Sequence, residues 1–299
     1  MKEMVIVSGK GGTGKTSITA AFAALAENTV TVDCDVDAAD LHLVMQPEMW
    51  REHDFSGGNK ARILSEDCTA CGLCFENCRF HAIISPAPSG PATAKPWINP
   101  IFCEGCRVCA RICPAGAVVF EAAKSGKWFV SKTPYGPLVH AQLGIAQGNS
   151  GKLVSLVRRE ARAIAERDGF ELILIDGPPG AGCPVIASIT GADLVLAVTE
   201  PTLSGRHDLM RIVQLTSHFQ IPIMLCINKW DIHPALTAQM EGEAQSHGIA
   251  LAGRIRYDPL VTEAQIRKTS VPALGSSRVG DDIRHVWQLV LSALNGKIS

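Results

Sequence analysis

The feature that most limits what this chain can fold into is Gly9-Lys10-Gly11-Gly12-Thr13-Gly14-Lys15-Thr16, set directly behind the apolar run Met4-Val5-Ile6-Val7. It satisfies G-x-x-x-x-G-K-[ST], a loop that joins a strand to a helix and wraps phosphate. Glycines let the backbone curl until successive N–H groups converge, and the following helix adds the positive end of its dipole. In such a loop Lys15 reaches the β- and γ-phosphates of a nucleoside triphosphate, and the Thr16 hydroxyl ligates Mg²⁺. The alanine-rich stretch from Thr16 to about Ala26 predicts the helix. The same letters also fit G-x-G-x-x-G through Gly9, Gly11 and Gly14, with Asp33 about where a ribose-binding acid belongs. A dinucleotide site therefore competes, but it leaves Lys15-Thr16 and a second acidic strand end unexplained.

Beyond the loop, strand and helix patterns alternate. Thr29 to Val32 reads as a strand ending in Asp33-Cys34-Asp35-Val36-Asp37, and Leu41 to Met45 as a short helix. Acids at a strand's carboxyl end lie on the rim where α/β sheets bind ligands. Asp35 there either orients an attacking water or belongs to a solvated acidic loop. Glu171 to Ile175 is a buried strand ending in Asp176-Gly177-Pro178-Pro179-Gly180. An aspartate in that place is the expected partner of bound Mg²⁺. Gly180 can bring a backbone N–H to a γ-phosphate and sense its loss. Further strands are expected at Val139 to Leu143, Leu194 to Val198, Ile221 to Ile227 and Leu251 to Ile255. Ile221 to Ile227 ends in Asn228-Lys229-Trp230-Asp231, whose asparagine can read a purine edge. Asn149-Ser150-Gly151-Lys152 is most simply the cap of an amphipathic helix, with Lys152 as a second phosphate contact the less favoured reading. The last helix, about Asp281 to Leu294, spaces Ile283, Val286, Trp287, Val290 and Leu294 for packing on the domain. The alternation predicts a mainly parallel, doubly wound α/β sheet.

Between about Trp50 and Lys132 the pattern changes. Cys68, Cys71, Cys74 and Cys78 recur as Cys103, Cys106, Cys109 and Cys113, each pair 35 residues apart. Ala82-Ile83-Ile84 likewise falls on Ala117-Val118-Val119, and Ile63 on Ile98. Two copies of one small unit are the natural reading, separated by a Pro/Ser-rich loop from Ser85 to Pro96. Each run is C-x2-C-x2-C-x3-C, the spacing of bacterial two-cluster ferredoxins, in which the fourth cysteine serves the other cluster. This assigns Cys68, Cys71, Cys74 and Cys113 to one [4Fe–4S] cluster, and Cys103, Cys106, Cys109 and Cys78 to the second. The second run continues into Pro114 as that pattern expects, whereas the first has Arg79. Structural zinc also uses C-x2-C pairs, but usually two close pairs with a long gap. The expected domains are 1–58 and 133–299 for the sheet and 59–132 for a ferredoxin insert.

Composition narrows the surroundings. Eleven cysteines in 299 residues are unusual, and in a reducing compartment they serve metals more often than disulfides. A formal net charge of −1 gives no bulk attraction to nucleic acid or to an anionic membrane. No apolar run approaches a membrane span, and Met1-Lys2-Glu3 runs straight into a strand, so a cytoplasmic location is expected.

On these residues the chain resembles the MinD/ParA-type P-loop ATPases, specifically a branch with an inserted ferredoxin domain. The most specific element is the deviant loop Lys10-Gly11-Gly12-Thr13-Gly14-Lys15-Thr16. The resemblance implies an ATP-dependent dimer, with itself or with a paralogous ATPase, that hydrolyses ATP to ADP slowly. It implies that Lys10 crosses the dimer seam to the partner's nucleotide, Asp35 positions water, Asp176 supports Mg²⁺ and Asn228 contacts adenine. Ser17 and Pro259 fall among the nucleotide-binding positions. MinD carries a basic C-terminal amphipathic helix that this sequence lacks, which speaks against membrane-coupled oscillation. Related Mrp-type carriers move iron–sulfur clusters, and nitrogenase iron protein gates electron transfer. In the latter a cluster-ligating cysteine follows the second acidic strand end by seven residues, as Cys183 follows Asp176 here. Cys183 is thus a candidate for a transient cluster or a partner contact, against the plainer expectation of a small buried thiol. Cys34 and Cys226 are expected to be packing residues. The expected function is ATP-driven control of a ferredoxin domain acting on a client metalloprotein, with an Mrp-type cluster carrier or a non-redox positioning module as alternatives.

Overall fold

The computed structural model describes residues 1–85, 95–144 and 150–296. All but the ends of the expected loop from Ser85 to Pro96, and the Asn149 cap, lie outside them. The chain divides into two compact units: Met1–His53, Trp128–Gln142 and Ser150–Ser299 form one, and the other is built chiefly on Asp54–Lys127.

In the first unit, β1 (Lys2–Ser8) leads through the glycine loop into α1 (Lys15–Leu25) and then β2 (Thr29–Asp33). The chain leaves this unit along β3 (Glu48–Ile63). In the second unit it forms α2 (Leu73–Glu76), β4 (Ile83–Ile84), β5 (Trp97–Ile98) and α3 (Val108–Ile112). It returns along β6 (Val118–Thr133) and turns within two residues into β7 (Gly136–Leu143). Helices and strands then alternate: α4 (Ser150–Asp168), β8 (Leu172–Pro179), α5 (Cys183–Ile189), β9 (Leu194–Thr199), α6 (Leu203–His218) and β10 (Ile223–Asn228). The chain ends with α7 (Pro234–Ser246), β11 (Ala250–Ile255), α8 (Pro259–Ile266) and α9 (Arg278–Leu294).

The large sheet has the order β11-β10-β9-β1-β8-β2-β7-β6-β3. Every pairing from β11 through β7 is parallel, so the mainly parallel expectation holds. Parallel strands are covered on both faces; accordingly Met4, Val5, Ile6 and Val7 are all fully buried. α1 and α9 pack on the face that carries Met4, Ile6, Leu174 and Leu196, while α4 and α5 cover β2 and β8. The final helix buries Ile283, Val286, Trp287, Val290 and Leu294, as its spacing predicts. Cys34 and Cys226 are packing residues, both wholly buried. No helix among the described residues is long and apolar enough to cross a membrane.

The register places the chemistry. Asp33 pairs with Asp176 on adjacent parallel strands, and Asp176 pairs with Ile6 just before the glycine loop. Two carboxylates and the loop therefore meet at one end of β2, β8 and β1.

The second unit repeats itself in backbone as well as in sequence. Left-handed φ values recur at Ala70 and Gly105, at Gly72 and Arg107, and at His81 and Gly116, each pair 35 residues apart. Leu64 N–H donates to Ala117 O (2.8 Å) and Asn99 N–H to Ala82 O (2.7 Å), so each copy bonds the other in the same way. At Gly105 a side chain would strike the Asn59 carbonyl, which explains the glycine. The two 16-residue strands β3 and β6 were not anticipated. β3 is mostly exposed and polar and gives no alternating signal.

Candidate functional site

The glycine loop is shaped by Gly12 (φ 81°) and Gly14 (φ 90°), conformations that favour glycine. At Gly14 any side chain would also collide with the Asn228 amide. Behind the loop, Asp176 is fully buried and gathers three donors. Lys15 Nζ lies 2.8 Å from Oδ1, Thr16 Oγ1 donates to Oδ2 at 2.8 Å, and Thr19 Oγ1 donates to Oδ1 at 3.1 Å. Asp35 is 3.9 Å from Lys15 Nζ. Lys15, Thr16, Asp35 and Asp176 thus form one constellation at the strand ends.

Their charges act on one another across short distances. Burial disfavours the Lys15 ammonium, but Asp176, with smaller help from Asp33 and Asp35, outweighs it and raises its pKa. Burial, followed by repulsion from Asp176, pushes Asp33 well above the carboxylate range. Burial also pushes Asp35 up to about 6, with the Asp176 charge adding to the rise against the pull of Lys15. The Thr13 hydroxyl is buried in the loop without a partner. Such an orphan beside an excess of buried carboxylates suits a site that completes itself with a phosphate and a divalent cation.

Asp33 does not fit a ribose acid. Its carboxylate accepts from the backbone N–H of Asp35 (3.0 Å) and of Leu41 (3.1 Å), so it holds the acidic loop in shape. The dinucleotide reading loses its key residue.

On the far side of the loop is a cavity of ≈ 220 Å³, lined among others by Gly12, Ser17, Asn228, Tyr257, Asp258 and Gln265. Asn228 Nδ2 donates to Thr13 O at 2.7 Å, and its Oδ1 accepts from Lys229 N–H. Asn228 therefore ties β10 to the phosphate loop as well as lining the cavity. Asp231 accepts from Tyr257 N–H at 2.8 Å, using its carboxylate to hold the cavity's rim. Pro259 opens α8, capped by Asp258. Gln265 Nε2 reaches Ser17 Oγ across 2.9 Å.

Lys10 lies on its own chain: its ammonium is 2.6 Å from Glu200, with the Thr202 and Ser204 hydroxyls at 3.3 and 3.1 Å. Glu200 also meets Lys229, whose ammonium reaches Gly12 O. Sequence reasoning missed Glu200 as a bridge, and only its place beyond a strand end hinted at it. Gly180 has φ 93° and gives its N–H to Ser8 O, joining the end of β8 to the loop. Cys183 is exposed and opens α5, which corrects the expectation of a small buried thiol. With Lys152 and Arg159 it lines an open groove between α4 and α5.

In the second unit the eight thiols line two cavities. Cys78, Cys103, Cys106 and Cys109 line the larger, and Cys68, Cys71, Cys74 and Cys113 the smaller. Each run of four thus lends its last cysteine to the other cavity. Burial, and then the charges of Cys103, Cys106 and Cys74, push Cys109 up to about 11. Burial likewise raises Cys74. Thiolates crowded this way want a cation, which reverses the trend. Among the described residues, no group of three or more His, Cys, Asp or Glu closes on a single point as the donors of one metal ion do.

Residues 4–271 match the family described as the CobQ/CobB/MinD/ParA nucleotide binding domain. Uncharacterized protein MJ0578 of Methanocaldococcus jannaschii is 32% identical over 237 residues, covering 76% of this chain and 78% of that one. Uncharacterized protein MJ0579 of the same organism is 27% identical, covering 78% and 82%. A 67-residue stretch is 33% identical to the indolepyruvate oxidoreductase subunit IorA of Methanothermobacter marburgensis, covering 22% of this chain and 10% of that one. Among solved structures, the septum site-determining protein MinD from Pyrococcus horikoshii, complexed with Mg-ADP, superposes with a TM-score of 0.60 at 17% identity, covering 100% of this chain and 99% of that one. The McdA(D38A)–ATP complex from Cyanothece gives 0.58 at 16% identity, covering 97% and 96%. At such identity these likenesses concern the fold.

Proposed function

Because the chain belongs to the CobQ/CobB/MinD/ParA nucleotide-binding family, we propose that it is a slow, Mg²⁺-dependent ATPase whose nucleotide state controls an iron–sulfur unit acting on a client metalloprotein. The observation that carries this reading is the exchange of Cys78 and Cys113 between the two cavities, in a chain that also gathers Lys15, Thr16 and Asp176 behind a phosphate loop. Exchange of the fourth cysteine is the rule for two-cluster ferredoxins, and four thiols per cavity suit two [4Fe–4S] clusters. When bound, such clusters supply one-electron chemistry. The short match to an oxidoreductase subunit supports the same class.

In the ATPase step, a water oxygen bonds to the γ-phosphorus as the bridging oxygen leaves with ADP. Lys15 and the loop N–H groups hold the charge that spreads over the γ-oxygens. Asp35 orients the water, and the Thr16 hydroxyl holds Mg²⁺ with Asp176 behind it. Asn228 and the cavity beyond it receive the adenine. Lys10 leaves Glu200 to meet the nucleotide of a second subunit, either the same chain or a paralogue; similarity to both MJ0578 and MJ0579 keeps the paralogue in view. Exposed Cys183 is then a point of contact for that subunit or for the client.

The test is anaerobic purification with iron and sulfide analysis, followed by a pull-down with ATP and Asp35→Asn. Electron paramagnetic resonance of the retained complex reads the clusters. About eight irons per chain that stay put while their signal changes with ATP support electron delivery or maturation. Iron lost to an apo-acceptor means a carrier instead. Zinc in place of iron, or failure to retain adenosine nucleotides, ends the reading.

A further inference from the structure

Outside the constellation just described, a column of flat rings runs from the acidic loop to the strands beside it. Asp33 holds Leu41 N–H at 3.1 Å, and Leu41 is fully buried in the apolar cluster that also includes Leu138 of β7. The next residue, His42, stacks on His140 of β7 with centroids 5.6 Å apart and planes 11° off parallel. His140 in turn stacks on Phe129 of β6 at 5.0 Å, and its Nε2 meets Ser131 Oγ at 3.1 Å. His42 Nδ1 is buried with no hydrogen-bond partner. A buried unpaired nitrogen costs free energy that an apolar ring would avoid.

We propose that the His42–His140–Phe129 column is a positioning relay, carrying the ligand state of the phosphate loop to β7 and β6. It rests on the nucleotide reading above. A triphosphate draws Lys15 away from Asp176, which changes the field on the buried Asp33 carboxyl paired beside it. Asp33 is what fixes Leu41, and through it the His42 ring. The three rings are half-buried and stacked face to face, so a shift of the His42 ring moves the surface on which His140 and Phe129 rest, and following it keeps their contact. β6 is the strand that brings the chain back from the cysteine-bearing unit, so the relay ends on the element that unit is threaded to.

The experiment uses the full chain, purified anaerobically. Amide hydrogen exchange over residues 128–133 is read with and without MgATP, alongside ATP affinity and turnover, for the natural chain, His42→Ala and His42→Phe. The expected result is an ATP-dependent change in exchange of about threefold or more in the natural chain. His42→Ala should lose that change while ATP affinity and turnover stay within about twofold, and His42→Phe should restore it. The relay is overturned if the change persists in His42→Ala, or if a folded His42→Phe fails to restore it. It is equally overturned if the natural chain binds ATP without any change in 128–133. A natural chain that binds no ATP sinks the function proposed above and takes the relay with it.

Discussion

The two units solve the problem of staying folded in opposite ways. The nucleotide-binding unit has a continuous apolar core in which Met4, Ile6, Phe22, Leu174, Leu196 and Val286 are wholly buried, sealed by the Phe22–Trp287 ring contact at 4.8 Å. Among the described residues of the cysteine-bearing unit, the cluster of buried apolar residues is Ala61, Ile63, Ile83 and Val118, with six cysteines packed around them. So small an apolar core does little to offset the entropy of ordering such a segment, and under the function proposed above thiolate–metal bonds make up the difference. On that proposal, one unit is held by area removed from water and the other by ligands that it must first acquire.

The sharpest way to break that contrast is to remove iron. Chelation under anaerobic conditions should unfold the cysteine-bearing unit outright, read as new proteolytic cleavage within 54–127, while the main thermal transition of the nucleotide unit stays in place. If 54–127 stays resistant after complete iron removal, the contrast is wrong. Phe22→Ala attacks the other side: it should cost about 3–5 kcal/mol in urea unfolding of the nucleotide unit and leave iron per folded chain unchanged.

Lys15→Ala separates chemistry from folding. Turnover of ATP should fall by about 10²–10³-fold, the usual loss when a charge-stabilising donor is removed, with no change in iron content. The mildest effect is on pH. Asp35 titrates near 6 in the folded chain, above its ordinary value of 3.8, so the folded state binds the proton more tightly than the unfolded one. Stability from this group is greatest at low pH and is lost as pH rises from about 4 to about 6. Asp35→Asn should therefore stabilise the nucleotide-free protein at pH 8 by on the order of 1–3 kcal/mol, with the gain vanishing below pH 4. In the natural chain kcat/KM for ATP should rise through about pH 6 as Asp35 ionises. A flat profile there would take Asp35 out of its proposed role.

Reading the chain alone located what is local or periodic. The strand–loop–helix, the strand-end acids Asp35 and Asp176, the final amphipathic helix and the 35-residue repeat all announce themselves within a few turns or by self-similarity. What escaped was non-local. Asp33 sits about where a ribose acid would in the competing dinucleotide reading, and sequence cannot show that Leu41 N–H claims its carboxylate. Asp231 completes an N-K-x-D string, yet it is spent on Tyr257, 26 residues away. Glu200 meets Lys10 only because β9 lies beside β1 in the sheet. Exposure of Cys183 depended on α5, a short helix that no periodic run foretold.

The sequence by itself determined that a phosphate loop and two matched thiol runs share one polypeptide, because glycine conformations and ligand spacings are written residue by residue. Tertiary structure alone decided which partners those groups keep. Register set Asp33 against Asp176, and folding turned the Lys10 ammonium onto Glu200. The physical reason is that charge pairing and burial depend on distances in space, and parallel strands bring together residues more than a hundred positions apart.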